Sequence, residues 1–288
     1  MTTLAEGTVP FRDGETWYAV SEPATPVPGS RLPLVVLHGG PGMSHDYLRA
    51  LPDLFDDRHV VLYDQFGTGN SSHRPDWDAK EWTPELFVEQ LQGLIAHLGY
   101  AETGGFHLLG HSWGGMLAQE YTFTRPAGQA SLILSDTSAS AAAIVESIAA
   151  LQAPIAAEEP DEQAQRNLFF MRHFCRLDPT PDDIVRALEL VGANPSVFAA
   201  MMGPTGDATG TLLGWTGVPR LPEIDVPTLV LAGEYDELQP VAWSPFAEHI
   251  PGVRTHVFAG ASHVPYLESP DEYHAVVAPF LAEHDGVG

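Results

Sequence analysis

The sequence predicts an α/β fold: a mostly parallel central sheet with helices on both faces and a helical cap inserted into it. Three observations carry this. Apolar runs at residues 34–37, 59–63, 131–135 and 228–232 alternate with helical patterns, as strands buried on both faces of a parallel sheet do. A further apolar run, at residues 106–109, passes through Gly110-His111-Ser112-Trp113-Gly114-Gly115 straight into a helical pattern, giving a strand, a sharp turn and a helix. Residues 139–214 are rich in Ala, Leu, Phe and Met and show no strand pattern. The 288-residue chain is therefore expected to divide into a core of residues 1–136 and 226–288 and a cap of residues 137–225.

In order, residues 7–12 and 15–20 are short alternating runs about Asp13-Gly14, a hairpin signal. A Pro/Gly/Ser connector, residues 23–30, leads to the first buried strand. That strand ends in His38-Gly39-Gly40-Pro41-Gly42, a loop whose backbone can approach a ligand closely. The next strand ends in Asp64-Gln65-Phe66-Gly67-Thr68-Gly69. No G-x-G-x-x-G and no following Lys is present, so this is a structural loop rather than a phosphate cradle, and Asp64 is expected to brace it. Thr83 as N-cap and Gly99 as stop bracket an amphipathic helix carrying Phe87, Leu91, Leu94, Ile95 and Leu98. In the cap, breaks are expected at Pro154, Pro160, Pro179, Pro181, Pro195 and Pro204. The core resumes with the strand at 228–232, a last strand at 254–258 and a C-terminal helix through Val276, Val277, Phe280 and Leu281.

Charge narrows the partners. There are 38 acidic against 13 basic residues, a formal charge of −25, and Lys80 is the only lysine. Nucleic acid and anionic membranes are poor partners for such a surface. The acidity reads as a solvated surface, or as a field that attracts cationic substrates. Cys175 is the single cysteine, so no intrachain disulfide is expected. Neither a basic n-region with an apolar h-region nor a run of 18 apolar residues is visible, so a cytoplasmic protein without a spanning helix is expected.

The chemistry follows from the elbow. Ser112 sits at the tip of a tight turn at a helix N-terminus, with the Trp113 N–H free to stabilise an anion. A serine hydroxyl is too weak a nucleophile unaided and needs a base held by an acid. Asp236 follows a buried strand, and His263 lies in the loop after the last one. The order Ser112, Asp236, His263 is that of the α/β-hydrolase arrangement. Gly40, in the glycine loop, is assigned as the second oxyanion donor and Gly39 as a substrate contact. His38 is expected to brace its loop rather than act as base. Among 13 histidines, His107 and His111 are four apart but on a strand and its turn, so no zinc site is expected. No cofactor is implied. The expected partner is a small-molecule or short-peptide substrate, with the chain a monomer or small homo-oligomer.

Taken together, His38-Gly39-Gly40-Pro41-Gly42, Asp64-Gln65-Phe66-Gly67, Gly110-His111-Ser112-Trp113-Gly114-Gly115 and Gly233-Glu234-Tyr235-Asp236-Glu237 resemble the proline iminopeptidase family of α/β-hydrolases. They look most like its branch with the tricorn-interacting aminopeptidase and bacterial L-amino acid amidases. The resemblance spans nearly the whole chain. It implies release of an N-terminal residue, often proline, from short peptides or amides. It also implies acidic residues that hold the substrate's free amine. The Glu directly after the triad Asp matches Glu237. The second comes from a cap segment like Gly-Pro-Asn-Glu-Phe, which here reads Gly203-Pro204-Thr205-Gly206-Asp207-Ala208. That segment is one residue shorter and lacks the Glu; either Asp207 stands in for it or the anchor is lost. Asn70 stands where the family usually has Arg. The alternative is an esterase, lactonase or amidase acting on a metabolite without a free amine, and a third class is a non-catalytic binding protein on the same fold.

Overall fold

The computed structural model describes residues 2–24 and 31–286. Eight strands form one sheet in the order β1-β2-β4-β3-β5-β6-β7-β8: β1 (Leu4–Phe11), β2 (Gly14–Ser21), β3 (Leu34–Leu37), β4 (Val60–Tyr63), β5 (Phe106–His111), β6 (Gln129–Ser135), β7 (Thr228–Gly233) and β8 (Arg254–Phe258). From β4 to β8 every pairing is parallel, while β1–β2 and β2–β4 are antiparallel. β3, β4, β5, β6 and β7 are buried along their whole length; β3 and β4 read as unbroken apolar runs, while β5 and β6 carry His107 and Ser131, whose side chains pair with each other at 2.8 Å.

The hairpin turn falls one residue earlier than the Asp-Gly signal suggests. Phe11 pairs with Gly14, so Arg12-Asp13 form the turn, and Arg12 takes the left-handed φ of 53°. Gly14 belongs to the strand because a Cβ there would sit 2.6 Å from Ser72 Cβ. The connector expected at residues 23–30 lies, from residue 25 onward, outside the described residues.

On the core side the helices are α1 (Leu51–Leu54), α2 (Pro84–Leu98) and α3 (Trp113–Phe123). Thr83 occupies the N-cap of α2 without a side-chain cap bond, and Gly99 closes it at φ 69°. Between β6 and β7 lie α4 (Ala141–Glu158), α5 (Glu162–Phe169), α6 (Asp182–Ala193) and α7 (Ser196–Met201), with a single bridge, Ser140 to Thr216, as their only strand pairing among the described residues. We propose that residues 137–225 act as the cap. α8 (Pro240–His249), α9 (Pro265–Glu268) and α10 (Pro270–His284) complete the chain.

One expectation about the cap changes: α4 runs through Pro154 instead of breaking there. The same helix, 18 residues with mean hydropathy 1.3, is long and apolar enough to cross a membrane by length and composition, although Glu146, Gln152 and Glu158 interrupt its apolar run. Its apolar character is used locally: Ile144 and Ile148 face the cavity above Ser112.

Candidate active site

The elbow forms because two glycines let backbones meet. A Cβ on Gly114 would come 2.1 Å from the Leu37 carbonyl oxygen, and one on Gly110 would come 2.3 Å from that of Gly114. Ser112 is left at φ 57° and ψ −127°, a strained conformation for a side-chain-bearing residue that marks functional turns. Gly114→Ala is expected to lower stability by about 1–3 kcal/mol, as overpacking does. An unchanged midpoint in urea unfolding would contradict this account of the turn.

Asp236 and His263 come together as their chain order implies. The His263 Nδ1–H donates to Asp236 Oδ1 at 2.7 Å, and the same oxygen accepts from Leu238 N at 2.9 Å. Both side chains are buried. Burial opposes charging of His263, but the Asp236 and Glu237 carboxylates outweigh it and push the imidazole up to about 9. Ser112 and His263 line one cavity of about 350 Å³. No hydrogen bond joins their side chains, a looseness common where no substrate is bound.

The glycine loop is braced as expected. His38 Nδ1–H donates to the Gly39 carbonyl, and Nε2 accepts from Gln65 N at 2.9 Å. Burial drives this imidazole down to about 4, so it is neutral and unsuited to carry a catalytic proton. Gln65 also donates to the His38 carbonyl and accepts from the Trp113 indole, tying loop to elbow. Gly40 lines the cavity with Ser112 and Trp113. As the first residue of α3, Trp113 has an N–H without an intrahelical acceptor. Gly39 is placed differently from its expected role as a substrate contact. Its N–H is taken by Tyr47 Oη at 2.7 Å, and a Cβ there would touch Ser112 Cβ at 2.8 Å. It packs the loop against the elbow and leaves no donor for a ligand.

Glu237 lines the cavity, with Oε1 3.7 Å from His263 Nε2 and its side chain 19 % exposed. Burial raises its carboxyl above the usual range, opposed by His263 and reinforced by Asp236. Residues between β6 and β7 fix its backbone: the Glu237 N–H donates to the His173 carbonyl at 3.0 Å, and Ser147 Oγ donates to the Glu237 carbonyl at 2.6 Å. Asp207, expected as a candidate amine anchor, lies outside the cavity. It is exposed and its carboxylate accepts from Thr209 Oγ1 at 2.7 Å, whereas Thr205 and Gly206 beside it line the cavity. The loop turns its backbone inward and its carboxylate out. Asp64 braces as expected, accepting from His45 N, His45 Nδ1 and Asn70 N.

A chain of buried hydrogen bonds between residues distant in the sequence joins the glycine loop to His263. Gly39 N–H donates to Tyr47, the Tyr47 hydroxyl to His111 Nδ1 at 2.9 Å, and His111 Nε2–H to the His263 carbonyl at 2.7 Å. Burial holds His111 well below the ordinary histidine range, so this neutral relay sets the glycine loop and His263 in mutual register. His111 within the elbow motif was the available signal. Above the site, Met43, Met116, Ile148, Phe169, Phe174, Leu188, Phe198 and Met202 make the cavity wall largely apolar. No cluster of metal-ligating side chains occurs among the described residues.

An elbow serine, a buried Asp–His pair and a glycine loop after β3 define an α/β hydrolase, and residues 34–276 match the model of the alpha/beta hydrolase family. The chain belongs to this family and is an enzyme of the serine-hydrolase type. Within it, the chain belongs with the proline iminopeptidases. It is 32% identical to the proline iminopeptidase of Lactobacillus delbrueckii subsp. lactis over 98% of this chain and 99% of that one. Among solved structures, it resembles the proline iminopeptidase of Mycobacterium smegmatis at 42% identity and TM-score 0.90, covering 98% of this chain and 99% of that one. The crystal structure of VinJ is similar at 37% identity and TM-score 0.89, covering 97% and 99%.

Proposed function

We propose that this enzyme releases an N-terminal amino acid, proline foremost, from short peptides or amino acid amides through an acyl-enzyme on Ser112. His263 Nε2 takes the Ser112 proton as Oγ attacks the carbonyl carbon, and the C–O bond forms while the carbonyl π pair moves onto oxygen. The N–H groups of Gly40 and Trp113 hold that oxyanion, where one donor is worth roughly 2.7–4 kcal/mol. His263 then gives the proton to the leaving amine as the C–N bond breaks. Water, deprotonated by the same imidazole, releases the amino acid. Asp236 keeps the Nδ1–H tautomer and offsets the imidazolium charge.

The observation that carries the peptidase reading is Glu237. A carboxylate 3.7 Å from His263 Nε2 within the cavity of Ser112 is placed to pair with a substrate ammonium next to the scissile carbonyl. The relatives named proline iminopeptidase agree with it. The outward Asp207 and the apolar wall favour a second reading, an esterase or amidase acting on a metabolite without a free amine.

A panel of prolyl and alanyl arylamides, their N-acetyl counterparts and simple acyl esters separates the two. The free-amine prolyl arylamide is expected to exceed its N-acetyl counterpart in kcat/KM by about 10²-fold or more, because the blocked substrate leaves Glu237 without its counter-charge. Turnover of esters with none of any free-amine substrate would sink the peptidase reading and leave the hydrolase.

A further inference from the structure

Directly after β6, Asp136 is fully buried and holds φ 50°, a left-handed conformation costly for any residue but glycine. Its Oδ1 accepts from Gly233 N at 3.0 Å and its Oδ2 from Ser135 Oγ at 2.7 Å, while Ser135 Oγ lies 3.3 Å from the Tyr273 hydroxyl. Gly233 ties Asp136 to Asp236: its N–H donates to Asp136 Oδ1 and its carbonyl accepts from Asp236 N at 3.3 Å, so the two buried carboxyls lie close enough to interact. On Asp236, Oδ1 serves His263 and Leu238, whereas Oδ2 is buried and meets no N–H or ordinary hydroxyl donor among the described residues.

From these contacts we propose that Asp136 is a neutral carboxylic acid whose O–H donates to Asp236 Oδ2, making it a positioning residue for the Asp236–His263 pair. The proposal rests on the triad reading above. Two carboxylates cannot both be ionised at this range in a dry site without a cation between them. No Lys or Arg contacts either carboxyl among the described residues. The other ionisable groups around them are Tyr47, Tyr266 and Tyr273, all held neutral by burial, with His263, Glu237 and His173 on the Asp236 side. Asp236 is the better place for the charge, because the His263 imidazole and a backbone N–H both point at it. The proton therefore resides on Asp136, whose carboxyl is pushed well above the usual range by burial first and by the Asp236 charge second. The orphaned Asp236 Oδ2 is the acceptor that this proton lacks elsewhere. With it satisfied, the Asp236 carboxylate is fixed at both oxygens and His263 keeps one orientation.

Infrared difference spectroscopy between wild type and Asp136→Asn at neutral pH tests this directly. The carbonyl stretch of a protonated buried carboxylic acid is expected in the wild type and absent from the variant. That reading is independent of turnover, so its failure is distinct from failure of the triad reading. Kinetics give a second arm. Asp136→Asn keeps an N–H donor for Oδ2, so kcat stays within a few-fold of wild type and the acid limb of kcat/KM stays in place. Asp136→Ala lowers kcat by about 10- to 100-fold, the scale of one buried acceptor left unsatisfied, and moves the acid limb to higher pH. Should the alanine variant not fold, the asparagine variant and the infrared band carry the test. No carboxylic-acid band, or an acid limb moved to lower pH by Asp136→Asn, would show that Asp136 is ionised and overturn the proposal.

Discussion

Ser112→Ala is expected to lower kcat on a prolyl arylamide by roughly 10⁵- to 10⁶-fold, the loss seen when a triad serine is removed from a serine hydrolase. KM should change by no more than a few-fold, because Gly40, Trp113, Glu237 and the apolar wall that bind substrate remain in place. Alanine retains the Cβ that already occupies the strained turn at φ 57°, so the unfolding midpoint should not move. Labelling by a fluorophosphonate probe, which needs a nucleophilic Oγ, should disappear with activity. Residual activity above about a tenth of wild type would remove Ser112 as nucleophile, since the oxyanion donors and binding alone account for only a small fraction of the acceleration. The substitution also separates catalysis from binding: the folded, inactive variant should still bind the substrate.

The parts of this site legible in the sequence are those fixed by chain order and backbone sterics. Strands buried on both faces are mostly apolar, so β3, β4, β6 and β7 announce themselves to within two residues of their observed ends. The elbow is legible because only glycine fits where Gly110 and Gly114 face neighbouring backbone. Side-chain direction in irregular loops is not written in the same way. By its position in the chain Asp207 reads as an amine anchor, yet one short loop with positive φ at Gly203, Gly206 and Ala208 turns it to solvent. The link from Tyr47 through His111 to His263 joins residues 64 and 152 apart in the chain, and a single sequence carries no signal for pairs of that separation. The hairpin turn moved by one residue for a similar reason. Gly14 is needed in the strand by Ser72 and Phe66, a tertiary demand that the local Asp-Gly signal does not contain.

Glu237→Gln is expected to lower kcat/KM for a free-amine prolyl arylamide by about 10²- to 10³-fold, chiefly through KM, because losing one partner of a desolvated charge pair costs about 2–5 kcal/mol. An N-blocked ester, which brings no ammonium, should change by only a few-fold. The pH profile provides a readout that loss of packing would not reproduce. His263 acts as base only when neutral, so activity is lost as pH falls through its pKa. In the free enzyme that imidazole is held up near 9 by Asp236 and Glu237 against burial. The acid limb of kcat/KM should therefore lie on the alkaline side of an ordinary histidine. Removing the Glu237 charge removes one of the carboxylates that raise it, so in Glu237→Gln the limb shifts to lower pH. A bound substrate ammonium neutralises Glu237 in the same sense, so in the wild type the limb of kcat, which reports the complex, should fall below that of kcat/KM. With glutamine in place the two limbs should converge, since the substrate no longer finds a charge to cancel. Equal losses on amine and N-blocked substrates, with an unmoved acid limb, would remove Glu237 as the amine anchor and leave the cavity's apolar wall as the main source of substrate choice.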